Sequence, residues 1–243
     1  MSIENNILCG FHAVEAALAA NHVKELFIES HRTDMRMRRL IAAANAAKVP
    51  IRTTNKSELD QMSDGVRHQG VIARGAQILV RNGLIRYLKN VDCPLVLILD
   101  GFNDPANFGN CLRSGAAIGV DAIVIPKHRG CGLTSTAIRV AAGGATSVAI
   151  FEEGNWGPLL ESMKALGLWL MGLDERANID FYEVDLSVPV ALVVGSEDKG
   201  LRQLTRRRCD QLVRIPTSEK LSSLNAATAA GVAMFEAHRQ RRG

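Results

Sequence analysis

Leu95-Val96-Leu97-Ile98-Leu99-Asp100-Gly101-Phe102-Asn103-Asp104-Pro105-Ala106-Asn107-Phe108-Gly109-Asn110-Cys111-Leu112-Arg113 reads as an apolar strand, a polar loop and the start of a helix. Five consecutive branched apolar residues stopped by an acid suit a strand buried on both faces, as in a parallel sheet. The loop reads as a βα turn: Pro105 fixes one position, Asp104 and Asn107 can bond the backbone, and Gly109 lets the chain enter a helix predicted over 110–118. Arg113 then falls four residues into that helix, on the loop side. A cation there opposes the helix dipole, so a ligand-facing role is expected, with the guanidinium on a phosphate or carboxylate.

Two later segments share this build. Val193-Val194-Gly195-Ser196-Glu197-Asp198-Lys199-Gly200 ends a strand in glycine and acids, and Ile215-Pro216-Thr217-Ser218-Glu219-Lys220-Leu221-Ser222-Ser223-Leu224-Asn225 joins the last strand to a long helix. Gly195, like Gly172, is expected to admit a flat ligand. Ser222 or Ser223 suits the N-cap of the final helix, with Asn225 in its first turn pointing back to the strand ends. An open α/β sheet binds its ligand beyond the carboxyl ends of its strands, so the three segments are expected to share one pocket. The absence of G-x-G-x-x-G argues against a dinucleotide.

Around these segments the second half alternates regularly. Strands are predicted over 95–99, 122–125, 147–151, 168–173, 190–194 and 211–215, and helices over 110–118, 134–142, 156–166, 200–208 and 223–239. That pattern implies a mostly parallel sheet with helices on both faces. The first part predicts helices over 12–20, 35–48 and 58–62 and strands over 24–28, 51–54 and 69–74, a small α/β unit. Residues 76–92 show no clear strand. The expected division is 1–76 as an N-terminal domain, 77–92 as a linker and 93–243 as the main domain.

An apolar content of 47% in 243 residues supports a genuine core, and the net charge of +4 permits nucleic-acid binding without requiring it. Basic clusters at Arg36, Arg38 and Arg39, at Arg206-Arg207-Arg208 and at the C-terminus read individually as solvated helix faces. Five scattered cysteines lack zinc spacing and read as free thiols, Cys111 as a core residue. No run approaches membrane-helix length and the N-terminus does not resemble a secretory signal, so the cytoplasm is expected, with no membrane or metal partner.

The ordered triple D-P-A-N-F-G-N-C-L-R-S, V-V-G-S-E-D-K-G and I-P-x5-S-S-L-N resembles the three motifs of the SpoU, or TrmH, family of RNA ribose 2′-O-methyltransferases. Cys9-Gly10-Phe11-His12-Ala13-Val14 and His68-Gln69-Gly70-Val71 resemble the small substrate-binding domain of the RlmB subgroup, which methylates a guanosine in large-subunit ribosomal RNA. The resemblance implies a SPOUT-type trefoil knot, S-adenosylmethionine as cofactor, a homodimer and large-subunit ribosomal RNA as partner. It puts cofactor contacts on Gly195, Ile215, Leu224 and Leu173, and catalytic or substrate positions on Asn107, Arg113, Glu197, Ser223 and Asn225. An arginine is a poor general base, so Arg113 is expected to orient phosphate and stabilise developing alkoxide charge. The chain departs from the family's usual pattern at Thr217, Glu219, Ala226 and Ala227. Other readings are a transfer RNA or adenosine-directed member of the family, and a non-catalytic RNA-binding or ribosome-assembly protein.

Overall fold

The computed structural model describes every residue except 1, 4–6, 20, 76–77, 129, 219–222 and 243, and it leaves the side chains of residues 2, 3, 78 and 79 undescribed. Ser222 and Glu219, named above, lie outside the described residues.

The first elements are β1 (Ser2–Ile3), β2 (Ile7–Cys9), α1 (Phe11–Ala19), β3 (Val23–Glu29), α2 (Met35–Ala46), β4 (Ile51–Thr54), α3 (Lys56–Ser63) and β5 (Val71–Gly75). β2 to β5 form a four-stranded sheet in the order β2-β5-β3-β4, with only β3 and β4 parallel. α2 and α3 start at side-chain caps: Asp34 accepts from the Arg36 and Met37 amides, and Asn55 from that of Glu58.

The segment read as a linker contains β6 (Ile78–Arg81) and α4 (Leu84–Leu88). β6 pairs antiparallel with β1 and parallel with a later strand, so it lies inside the large sheet, next to its edge strand β1. Four residues are too few for a period-2 pattern to stand out, which is why the sequence hid it.

The large sheet continues through β7 (Leu95–Asp100), α5 (Pro105–Ile118), β8 (Ala122–Pro126), α6 (Ser135–Ala141), α7 (Gly144–Ser147), β9 (Ala149–Glu153), α8 (Trp156–Ala165), β10 (Trp169–Leu173), β11 (Ile179–Asp180), β12 (Val190–Gly195), α9 (Gln203–Arg208), β13 (Gln211–Arg214) and α10 (Ala226–Arg241). Its order is β1-β6-β9-β8-β7-β12-β10-β13-β11, parallel throughout except for β1. β7, β8 and β12 are buried along their whole length, as a sheet covered on both faces requires. This is the expected α/β architecture with a separate small N-terminal sheet.

Two differences bear on the site. Asp104-Pro105-Ala106-Asn107-Phe108-Gly109 is not a loop: Asp104 is the N-cap, accepting from the Ala106 amide at 2.8 Å, and Pro105 opens α5, where its missing N–H costs nothing. Arg113 is therefore the ninth residue of α5, not the fourth of a helix, and the dipole argument for it lapses. Gly109 serves helix packing, because a Cβ there would come within 2.6 Å of the Ala137 carbonyl on α6.

α10 packs on α5, burying Ala226, Ala227, Ala230, Ala233, Met234 and Ala237 at helical spacing and leaving Phe235 52% exposed. Arg241 clasps its far end, donating to the carbonyls of Cys93, Pro94, Leu186 and Val188 just before β7 and β12. The N-cap of the helix is thereby held against the opposite, carboxyl ends of those strands.

Candidate active site

Three neighbouring strands end beside one another: β12 at Gly195, β10 at Leu173 and β13 at Arg214. Beyond them lies a cavity of about 510 Å³. Leu173, Val194, Ile215 and Leu224 supply its apolar wall; Asp174, Glu175, Glu197 and Ser223 are among its polar groups. All four expected cofactor positions and three of the five expected catalytic ones, Glu197, Ser223 and Asn225, line it. Asn107 does not line the cavity but bonds two residues that do.

Those bonds have a fixed direction. Asn225 is the N-cap of α10, its Oδ1 accepting from the Ala227 and Thr228 amides at 2.9 and 3.2 Å. This corrects the expectation that Ser222 or Ser223 caps the helix and that Asn225 lies in its first turn. With Oδ1 committed to backbone N–H groups, the Asn225 amide nitrogen has to donate, and it does so to Asn107 Oδ1 at 3.1 Å. Asn107, only 8% exposed, then donates from Nδ2 to Glu197 Oε1 at 2.5 Å. A helix N-terminus thus sets the polarity of a relay that ends on a carboxylate in the cavity wall. It joins residues 90 and 118 positions apart.

Glu197 sits in a tight loop closed by reciprocal bonds between Ser196 and Gly200. Gly195 is needed for that closure. A Cβ there would overlap the Gly200 and Leu201 backbone, so the space read as room for a flat ligand belongs to the protein's own chain. Gly172 is similar: its missing Cβ leaves room for Leu212, Cys209 and Leu201 side chains. After the loop, the Arg202 amide and guanidinium both bond the carboxylate of Asp100, fully buried at the end of β7, and the guanidinium lies 5.0 Å from the Trp156 ring centre. Removing Arg202 would strand a buried carboxylate, a costly defect. Sequence reading missed this pair, and missed Asp174, held at the cavity by Arg206; an acid just after a strand was the available signal in both cases.

Arg113 stands apart. At 3.6 residues per turn it lies about 120° round α5 from Asn107, is exposed, and is absent from the cavity wall. Its backbone faces Gly144, where a Cβ would come within 2.9 Å of the Arg113 Cα. The structure brings together Asn107, Glu197 and Asn225, sets Ser223 on the same cavity, and leaves Arg113 outside it.

Burial pushes Cys111 far above the usual thiol range, and raises Cys131 to about 11 and Cys209 to about 12.

An apolar wall beside four carboxylates, Asp174, Glu175, Glu197 and Asp198, and three cations, Arg176, Lys199 and Arg206, suits a flat ring that carries polar and charged substituents. Residues 94–235 match the SpoU rRNA Methylase family, and residues 7–78 match the family described as RNA 2′-O ribose methyltransferase substrate binding. The chain belongs to the SpoU rRNA methylase family. It is 40% identical over 243 residues to the 23S rRNA (guanosine-2′-O-)-methyltransferase RlmB of Shewanella oneidensis, covering 98% of this chain and 99% of that protein. The Escherichia coli K12 protein of the same name is 40% identical over 242 residues, again covering 98% and 99%. Among solved structures, the SpoU methyltransferase AviRb from Streptomyces viridochromogenes, in complex with the cofactor AdoMet, superposes with a TM-score of 0.76 at 23% identity, covering 97% of this chain and 90% of that one. At that identity the likeness is one of fold.

Proposed function

We propose that the protein transfers a methyl group from S-adenosylmethionine to the ribose 2′-hydroxyl of a guanosine in 23S ribosomal RNA, acting as a cytoplasmic homodimer. The observation that carries this reading is the Asn225–Asn107–Glu197 relay on the wall of a cavity fit for an adenosine-like cation. Support for the guanosine target comes from full-length similarity to two proteins named for that reaction.

The cofactor fits the residues present. Leu173, Ile215 and Leu224 would hold the adenine, and the lining carboxylates Asp174, Glu175, Glu197 and Asp198 suit ribose hydroxyls and the sulfonium charge. When bound, it supplies an electrophilic methyl group for in-line displacement. The protein's task is to hold the hydroxyl oxygen in line and assist loss of its proton. Asn107 occupies Glu197 Oε1, which orients the carboxylate and leaves Oε2 to accept a hydroxyl hydrogen bond. Ser223, exposed at the cavity, offers a second polar contact to the ribose. Arg113 serves as a phosphate anchor outside the cavity, where a bidentate contact fixes the RNA backbone. The homodimer and the family's trefoil knot belong to the same proposal; exposed Phe235 on α10 suits a contact between copies.

Methyl transfer from labelled S-adenosylmethionine to large-subunit RNA lacking the modification, followed by ribose-methylation mapping, tests the reading. One 2′-O-methylguanosine is expected. Methylation of transfer RNA or of an adenosine would move the substrate, and cofactor binding without transfer to any RNA would favour an assembly role.

A further inference from the structure

Little holds Glu197 in the cavity wall directly. Among the described residues its carboxylate receives one side-chain hydrogen bond, from Asn107 at 2.5 Å. Its backbone belongs to the loop between β12 and α9, closed by the Ser196 amide on the Gly200 carbonyl at 3.1 Å and the Gly200 amide on the Ser196 carbonyl at 2.9 Å. The place of that carboxylate therefore depends on where the two ends of the loop are fastened.

Both ends are fastened to Asp100. Gly195, the last residue of β12, lies in register with Asp100, the last residue of β7. Arg202, which leads into α9, donates its amide to Asp100 Oδ2 at 2.9 Å and its guanidinium to Oδ1. Asp100 is also the origin of the other partner: the chain leaves it through Gly101, φ 87°, reaches the Asp104 cap and places Asn107 in the first turn of α5. Two paths thus start at one buried carboxylate and meet again at the Asn107–Glu197 bond.

Nothing about burial requires an ion pair at this point. Asp100 is 0% exposed, and the Trp156 ring, 5.0 Å from the guanidinium, is itself buried. In such a place a well-packed apolar pair often gives equal or greater stability, because both charges lose hydration. What an apolar pair lacks is direction. A guanidinium fork beside a backbone amide fixes distance and orientation at once, and the Trp156 face steadies the plane of the fork. Neither Asp100 nor Arg202 lines the cavity, so neither reaches a ligand there.

We propose that Asp100 and Arg202 are positioning residues that set the Glu197 carboxylate against Asn107, and through it against the hydroxyl to be methylated. The hydroxyl rests on the methyltransferase reading above; the hold on the loop does not. A carboxylate displaced by about 1 Å loses the alignment that in-line transfer needs, at a cost of up to about a hundredfold in rate.

The test replaces the ion pair without stranding a charge. Asp100→Asn with Arg202→Met keeps an acceptor for the backbone amide at position 202 and fills the space beside Trp156. In the full-length protein, kcat for methyl transfer to unmodified large-subunit ribosomal RNA is expected to fall at least about tenfold, with KM for RNA and cofactor Kd within about threefold. The Ser196 and Gly200 amides should exchange hydrogen at least about tenfold faster, while those of α10 exchange as in the wild type. Arg202→Lys, which keeps the charge but not the fork, should fall between the two in both readouts. In a Glu197→Gln background the double substitution should change kcat by less than about twofold, because residues that act through one another are not additive. Unaltered loop exchange in the double variant overturns the proposal, as does faster exchange with wild-type kcat, or a full further loss in the Glu197→Gln background. If the double variant does not fold, wild-type kcat and exchange in Arg202→Lys overturn it. Faster loop exchange in the double variant of a protein that methylates no RNA would support the pair's hold on the loop and refute the methyltransferase reading instead.

Discussion

Asn225 does two jobs with one amide, and two substitutions separate them. Asn225→Asp keeps the cap acceptor, and adds a charge the helix N-terminus favours, but has no N–H to give Asn107. It is expected to melt close to the wild type while losing at least tenfold in kcat. Asn225→Ala should lose both, with about 1 kcal/mol of stability gone with the cap; thermal melts and initial rates check the pair, and equal activity in wild type and Asn225→Asp would remove the relay from catalysis. For Arg113 the expectation follows from its position outside the cavity: Arg113→Ala raises KM for RNA at least tenfold with cofactor affinity by calorimetry within a few fold, and Arg113→Lys restores it only in part because an ammonium lacks the bidentate fork. The relevance of Asn107, Glu197 and Asn225 was legible in the sequence as polar residues at strand ends. Which atom donates to which was not, because amide direction depends on neighbours far along the chain. Gly195 and Gly172 were noticed for a reason the structure reverses: they make room for protein, not ligand.

α10 illustrates what an element adds. Hydrogen bonds from Arg239 and then Gln240 hold the Glu236 carboxyl down to about 2, from an ordinary value of 4.5. Gln240 in turn accepts from the Leu186 amide and donates to the Val184 carbonyl, tying the helix to the chain before β12. A depressed carboxyl stabilises the fold fully above its ordinary value and loses that contribution as pH falls toward 2. Glu236→Gln should therefore lower Tm at pH 7, with the deficit shrinking between about pH 4.5 and 2; an equal deficit at both ends would assign the effect to packing. Most strands were readable because each is a run of branched apolar residues between polar stops. The start of α5 was misread, although Asp104-Pro105 is a proper cap and first position, because Asn and Gly soon after it also signal turns. β6, β11 and α4 escaped because each is short and lies among polar and charged residues that blur its pattern.

At the scale of the molecule, the N-terminal unit has its own sheet and the cofactor-type cavity is lined entirely by residues from 173 onward. Removing residues 1–75 is expected to weaken RNA binding at least tenfold while cofactor affinity changes by less than about threefold. Equal loss of both, in parallel titrations, would argue against separate roles. Light scattering of the intact protein should report twice the 26.3 kDa chain mass, and Phe235→Glu should shift it toward one chain if α10 lies between copies.

The sequence by itself determined the class of fold and named most of the residues that the structure brings to one cavity. Apolar runs spaced by helices require a covered parallel sheet, and three polar strand ends in a fixed order marked both the family and residues that meet at the cavity. Only the tertiary structure decided that β12, β10 and β13 lie side by side, that Asn225 rather than a serine caps α10, and that Arg113 turns away from the cavity its partners share. The physical reason is range. A 2-residue or 3.6-residue period and a capping side chain are properties of a few adjacent residues, written directly into the chain. Strand order, and the meeting of Asn107 with groups 90 and 118 residues away, arise from the packing of whole elements and leave no local trace.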